Sequence, residues 1–191
     1  LDNPTACPLY AGITIKGIRV APSPEWLQQA LKAIGQRTVN NVVDITNYIL
    51  HETGQPLHAF DYDSIAGQTI IVRNVPEGTK FQTLDEKERS LRAEDLMICD
   101  AEKPLAVAGV FGGLASGVTD HTTNLFIESA YFDPKTIRRT SLHHGLRTDA
   151  ATHFEKGVDI SLVVPALKRA VQLIISVAGG APASGIITAS G

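Results

Sequence analysis

The chain has 191 residues, 43% hydrophobic and 19% charged, which suits a folded domain with a sizeable core and excludes a disordered or fibrous chain. Its formal net charge of −3 excludes a uniformly basic nucleic-acid surface but leaves room for a local basic patch. The cysteines, Cys7 and Cys99, lie far apart with no CxxC or Cys/His ligand spacing, so free thiols in a reducing compartment are expected and no metal set is visible.

Residues 10–20, YAGITIKGIRV, alternate well enough for a strand, with Ile13, Ile15 and Ile18 interrupted by Gly12 and Gly17. Ser23, Pro24 and Glu25 then supply an N-cap, an N1 proline and an acid in the first turn. The helix they start runs through WLQQALKAIG, burying Leu27, Ala30, Leu31 and Ile34 and stopping at Gly35. A second helix is expected over residues 41–53, with Val42, Ile45, Tyr48 and Ile49 on one face and Gly54 as terminator. Its polar residues Asp44, Thr46 and Asn47 fit a solvated face. The QPLHAFD segment follows, where Pro56 restricts Gln55, so a fixed turn or an edge segment presents His58.

From Thr69 the pattern changes to short strands: TIIVRNV, a Pro76-Glu77-Gly78 turn, TKFQTLD and a charged turn near Asp85. DLMICDA and PLAVAGVFGG form a hairpin about Glu102 and Lys103, the second run ending at Gly112-Gly113 before an exposed LASGVTD loop. Paired glycines there serve a tight turn or a bulge, or less commonly a close approach to a ligand.

Residues 126–159 carry most of the unusual chemistry. Glu128 interrupts an apolar run, Leu125 to Phe132, at a place where a charge is costly without a partner. Either it faces solvent on an edge strand or pairs with Arg138, Arg139 or Arg147, or it is a buried acceptor for a ligand's donor. Asp133 and Pro134 start a helix to Thr140, and the pair His143 and His144 and the turn from Gly145 to Ala150 follow. Another helix spans residues 149–156 and ends at Gly157, and the last runs from Asp159 or Ser161 to Ala178. The apolar stretch 162–178 is interrupted by Pro165, Lys168, Arg169 and Gln172, so no membrane span is expected. A chain that starts at Leu1 and ends in a loose Gly/Ala/Ser tail reads as part of something longer. Helices, a strand-rich centre of mostly antiparallel or mixed sheets, then helices favour an α+β fold of one module, residues 1–191.

The segments NNVVDITNYILHETGQPLHAFD, GVFGG, FIESAYFDP and HGLRTDAATHFEKGVD, in that order, resemble the bacterial phenylalanyl-tRNA synthetase β chain over its B3/B4 editing module. The resemblance implies hydrolysis of tyrosine wrongly attached to tRNA(Phe), in the cytoplasm, within an (αβ)2 synthetase whose α chain uses ATP and Mg2+, the module itself needing no cofactor. A pocket built for a phenyl ring rejects an added hydroxyl by only roughly a hundredfold, whereas a site that hydrogen-bonds the hydroxyl discriminates by roughly 10⁴ to 10⁵.

By the same resemblance, Glu128 accepts the phenol's hydrogen bond, and Gly112 and Ala150 keep room for the amino acid. His58 and Thr148 stand near the ester, and Asn47 lines the pocket. His58 would orient or deprotonate the attacking water, and Thr148 or nearby backbone N–H groups would bind the oxyanion. Arg37, Arg138, Arg139, Arg147 and Lys156 are candidate tRNA backbone contacts, although each also suits an ordinary surface charge. Asn41 departs from an arginine found in some members at that position. The alternative is a tRNA-binding or structural module without editing activity, and a freestanding deacylase is a further one.

Overall fold

A computed structural model describes the whole chain, Leu1–Gly191. In chain order its elements are β1 (Leu9–Ile18), α1 (Glu25–Ala33), α2 (Asn41–Thr53), β2 (Leu57–Asp61), β3 (Ile71–Asn74), β4 (Lys80–Gln82), β5 (Glu88–Ser90), β6 (Leu96–Cys99), β7 (Pro104–Val107) and β8 (Phe111–Gly112). They continue with β9 (Asn124–Tyr131), α3 (Pro134–His144), α4 (Asp149–Lys156), α5 (Val163–Ala178), β10 (Gly179–Pro182) and β11 (Ile187–Ser190). The fold is α+β, and every strand pairing is antiparallel.

A five-stranded sheet in the order β10-β1-β9-β2, with β11 also on β1, divides the molecule. Because side chains alternate across a strand, β9 sends Leu125 and Ile127 into one core and Phe126 and Ala130 into another. The first core is closed by α1, α2 and α5 through Leu31, Ile45, Leu167 and Ile174. The second is closed by the four-stranded sheet β3-β6-β7-β8 and by Phe154 and Ile137 of α4 and α3. β4 and β5 form a separate hairpin, tied to the smaller sheet by a bridge between Thr83 and Gly113.

Several local expectations change. Ser23 does not cap α1; its hydroxyl instead donates to Asp44 Oδ2 at 2.6 Å, and Pro24 occupies the cap position. Asp44 and Thr46 are therefore buried, not solvated: Asp44 also accepts Val39 N–H at 2.8 Å, and the Thr46 hydroxyl donates to Val43 O. On α1, Leu27 and Leu31 are buried, but Ala30 is half-buried and Ile34 exposed. Asn41 is buried too, accepting from Ala21 N–H and donating to Arg19 O, which fixes the start of α2 against the segment after β1.

PLAVAGVFGG is not one strand. Gly109, at φ +68°, turns the chain so that β7 and β8 pair with each other. Nor is the loop after it simply exposed: Ser116 is buried, donates to Leu105 O and accepts Asp61 N–H through its carbonyl. α3 runs past Thr140 to His144, ended by Gly145 at φ +65°. The Gly/Ala/Ser tail forms β10 and β11, both on β1. Finally, the segment Ile160–Ala178 is long and apolar enough, by length and composition, to cross a membrane. Here its apolar face, including Leu167, Ala170 and Ile174, is buried in the first core.

Candidate functional site

A cavity of about 520 Å³ opens between the β2 edge of the main sheet, the β7–β8 hairpin, α2 and the start of α4. Glu128, His58, Gly112, Thr148, Ala150 and Asn47 all line it. The size is that of a small-molecule site, and exposed Val39 and Leu84 stand at its rim.

Glu128 and His58 are cross-strand partners on β9 and β2, so their side chains leave the sheet on the same face. Glu128 is only 6% exposed, on a central strand, and none of the arginines is its partner. Its Oε2 instead accepts the Tyr10 hydroxyl at 2.8 Å, and no hydrogen bond reaches Oε1. Burial pushes the carboxyl up to about 7, against the Tyr10 bond, which favours the charged form.

His58 packs edge-on against Phe60, with ring centroids 4.4 Å apart. Burial drops its imidazole to about 4, so the ring is neutral at neutral pH. Nε2 is enclosed with no hydrogen-bond partner; Nδ1 also lacks one but is not enclosed. Gly112 explains how the ring fits: a Cβ there would sit 3.1 Å from His58 Cε1. Its neighbour Gly113 is required by backbone packing, because a Cβ would fall 2.3 Å from Leu105 O. The glycine pair therefore serves close approach within the protein, not a tight turn.

Thr148 is the N-cap of α4. Its hydroxyl accepts Ala151 N–H at 3.1 Å and donates to Val110 O at 2.7 Å, so its proton is already committed. The first N–H groups of α4, on Asp149 and Ala150, have no intrahelical acceptor, as at any helix start, and both residues line the cavity. Asn47 is half-buried, with its side-chain amide unbonded.

The basic candidates do not line the cavity. Arg37, Arg138, Arg139, Arg147 and Lys156 are exposed, Arg139 pairing with Glu94 at 2.9 Å and Arg147 lying 3.9 Å from Glu155. The histidine pair also lies elsewhere: His144 Nε2 meets Asp95 Oδ2 at 2.7 Å, and Asp95 accepts the Thr140 hydroxyl as well, anchoring α3. Sequence reasoning missed Tyr10, whose place beside Glu128 depends on the β1–β9 pairing, and Asp149, which lay inside a motif already singled out. No group of three His, Cys, Asp or Glu side chains is placed to hold a metal ion.

Comparison with known proteins gives a consistent picture. The family described as "B3/4 domain" matches residues 6–179. The phenylalanine–tRNA ligase beta subunit of Bacteroides thetaiotaomicron is 55% identical over 97% of this chain and 23% of its own length. That of Porphyromonas gingivalis is 57% identical over 92% and 22%, and that of Moorella thermoacetica 53% identical over 98% and 23%. The chain thus spans less than a quarter of the length of these relatives. A crystal structure of an N-terminal fragment of the phenylalanyl-tRNA synthetase beta subunit from Pyrococcus horikoshii shares the fold, with a TM-score of 0.56 at 14% identity, over 99% of this chain and 52% of that one.

Proposed function

The chain belongs to the B3/4 domain family, and from that premise we propose that it is the editing domain of a cytoplasmic phenylalanyl-tRNA synthetase, hydrolysing tyrosine from mischarged tRNA(Phe). The observation that carries this reading is Glu128: a buried carboxylate on the cavity wall with one oxygen still unbonded, among largely apolar neighbours. A tyrosyl group offers that oxygen a phenol proton. A phenylalanyl group leaves it against carbon, closed off from any donor, so the hydrogen bond goes unmade.

The reaction is attack of water on the aminoacyl ester. Neutral His58 takes the water's proton, and negative charge gathers on the carbonyl oxygen. The N–H groups of Asp149 and Ala150 suit that oxyanion better than the Thr148 hydroxyl, whose proton is held by Val110 O. Collapse breaks the bond to the terminal ribose oxygen, which takes the proton back from His58 and leaves as intact tRNA. Nδ1 is the nitrogen of His58 that can meet water without displacing the Gly112 segment, since Nε2 is sealed behind it.

ATP and Mg2+ would serve aminoacylation elsewhere in an (αβ)2 enzyme, with the α chain as partner. The phosphate contacts would come from Arg37, Arg138, Arg139, Arg147 and Lys156, outside the cavity. The test is release of amino acid from Tyr-tRNA(Phe) and Phe-tRNA(Phe) by the assembled synthetase. Tyrosine should be released selectively, and Glu128→Gln should lose most of that selectivity. Absence of tyrosine release by the wild-type enzyme would return the module to a binding or structural role, the reading that the sealed Nε2 favours.

A further inference from the structure

We infer that Tyr10 is a positioning residue for the reading of the substrate hydroxyl: its phenol holds one oxygen of Glu128 and presents the other to the cavity. The inference rests on the editing reading and deepens it. Tyr10 is buried on β1, 118 residues from Glu128 in sequence, and its hydroxyl donates to Oε2 at 2.8 Å. The register brings this about: Gly12 lies opposite Glu128 and Tyr10 opposite Ala130, so both side chains rise from one face, two places apart. Gly12 carries no side chain between them, and the space over it holds the Phe126 ring, whose Cζ would lie 2.2 Å from an added Cβ.

Tyr10 and Glu128 stand on opposite sides of this contact. Glu128 lines the cavity already described, whereas Tyr10 lines a second one of about 600 Å³ on the β11 side of the sheet. Tyr10 therefore reaches the carboxylate from outside the cavity that Glu128 lines. A carboxylate on a rotatable side chain, with both oxygens unbonded, would present neither in a fixed direction; one oxygen fixed by a buried phenol orients the other. The in-chain bond is also the same kind of bond that the substrate would make, so the site keeps its acceptor in working geometry when no tyrosine is bound.

The other titratable groups near Glu128 are His58 on β2, its cross-strand partner, and Cys7 before β1, whose thiol burial and, less strongly, Glu128 push up to about 12. With His58 neutral and the thiol protonated, the Tyr10 hydroxyl is the one group that draws the carboxyl toward its charged form. Removing it should therefore shift the carboxyl upward, a response that loss of packing would not produce.

The experiment is the pH dependence of kcat/KM for Tyr-tRNA(Phe) deacylation by the assembled synthetase, with non-enzymic hydrolysis subtracted. Wild type should rise with pH about a midpoint near 7. Tyr10→Phe should move that midpoint up by about one to two pH units, with a roughly three- to twenty-five-fold loss near pH 7.5. Site-specific replacement of Tyr10 by 3-fluorotyrosine, a more acidic donor of nearly the same shape, should move it down, and gives a readout even if Tyr10→Phe folds poorly. A loss of rate at every pH with an unmoved midpoint in both variants makes Tyr10 structural only and overturns the inference. So does a Tyr10→Phe enzyme identical to wild type while Glu128→Gln is inactive, which leaves the editing reading intact. Selective deacylation by Glu128→Gln at the wild-type rate overturns that reading itself.

Discussion

Glu128 and His58 face one another across β9 and β2, and burial drives them in opposite senses, the carboxyl from 4.5 to about 7 and the imidazole from 6.5 to about 4. Each is thereby held in its uncharged form over part of the neutral range. The folded carboxyl lies above its unfolded value, so what Glu128 contributes is fully present below about pH 4.5 and is lost as pH rises through about 7. His58 has the reverse sign: its contribution is present above about pH 6.5 and is lost as pH falls through about 4. Glu128→Gln keeps the shape and an acceptor for Tyr10 while removing the titration. It should stabilise the domain at pH 8 by on the order of 3 kcal/mol and by nothing near pH 4.5, as urea unfolding at both pH values will measure. A gap that does not change with pH would mean the carboxylate is solvated in solution. Gly112→Ala tests the neighbouring contact: its φ suits any residue, so the cost falls on the 3.1 Å approach to the His58 ring. Tyrosine release should drop at least tenfold with a change in stability of under about 1 kcal/mol, a split that deacylation and melting measured together will detect.

Helices were legible where local chemistry set their ends. α4 begins at Thr148, whose hydroxyl accepts Ala151 N–H, and stops at Gly157, and both signals lie within the sequence itself. α2 is likewise closed by Gly54 at φ +80°. What sequence could not show was competition for the same groups from far along the chain. Ser23 has the makings of an N-cap, but Asp44 takes its hydroxyl. The β7–β8 hairpin was hidden because β7 is apolar and mostly buried and β8 is only two residues long, so no alternation marks the turn. At the site, Glu128 was legible as a charge within an apolar run, while its partner Tyr10 depended wholly on strand register. Gly109 gives the hairpin a direct test. A side chain there must adopt φ +68° and place Cβ within 2.8 Å of Phe132, 2.9 Å of Ile137 and 3.0 Å of Phe154. Gly109→Ala should cost about 2 to 5 kcal/mol, from left-handed backbone strain together with overpacking, whereas an unstrained turn would lose less than about 1 kcal/mol in denaturant unfolding.

On the scale of the whole molecule, the site depends on a sheet buried on both faces, with β2 left as the edge from which His58 reaches the cavity. The opposite edge is closed differently. β10 pairs with the second half of β1, through Ile15, Lys16 and Ile18, and β11 with the first half, from Leu9 to Gly12. Both come from the terminal segment, whose exposed β11 side chains add little to either core. Its contribution is therefore mainly to satisfy the backbone groups of β1, at about 1 kcal/mol for each ladder hydrogen bond, and to cover an edge that would otherwise pair with another chain. Removing residues 179–191 should lower the melting temperature and shift the protein toward dimers and larger species, most strongly at high concentration. Because Tyr10 and Gly12 belong to the uncovered half of β1, the truncated protein should also hold Glu128 less firmly than the full chain does. Light scattering and thermal melting of the two lengths decide the matter: a truncated chain that associates no more than the full one and melts with it would show that β1 needs no cover, and that the two cores alone hold the site in place.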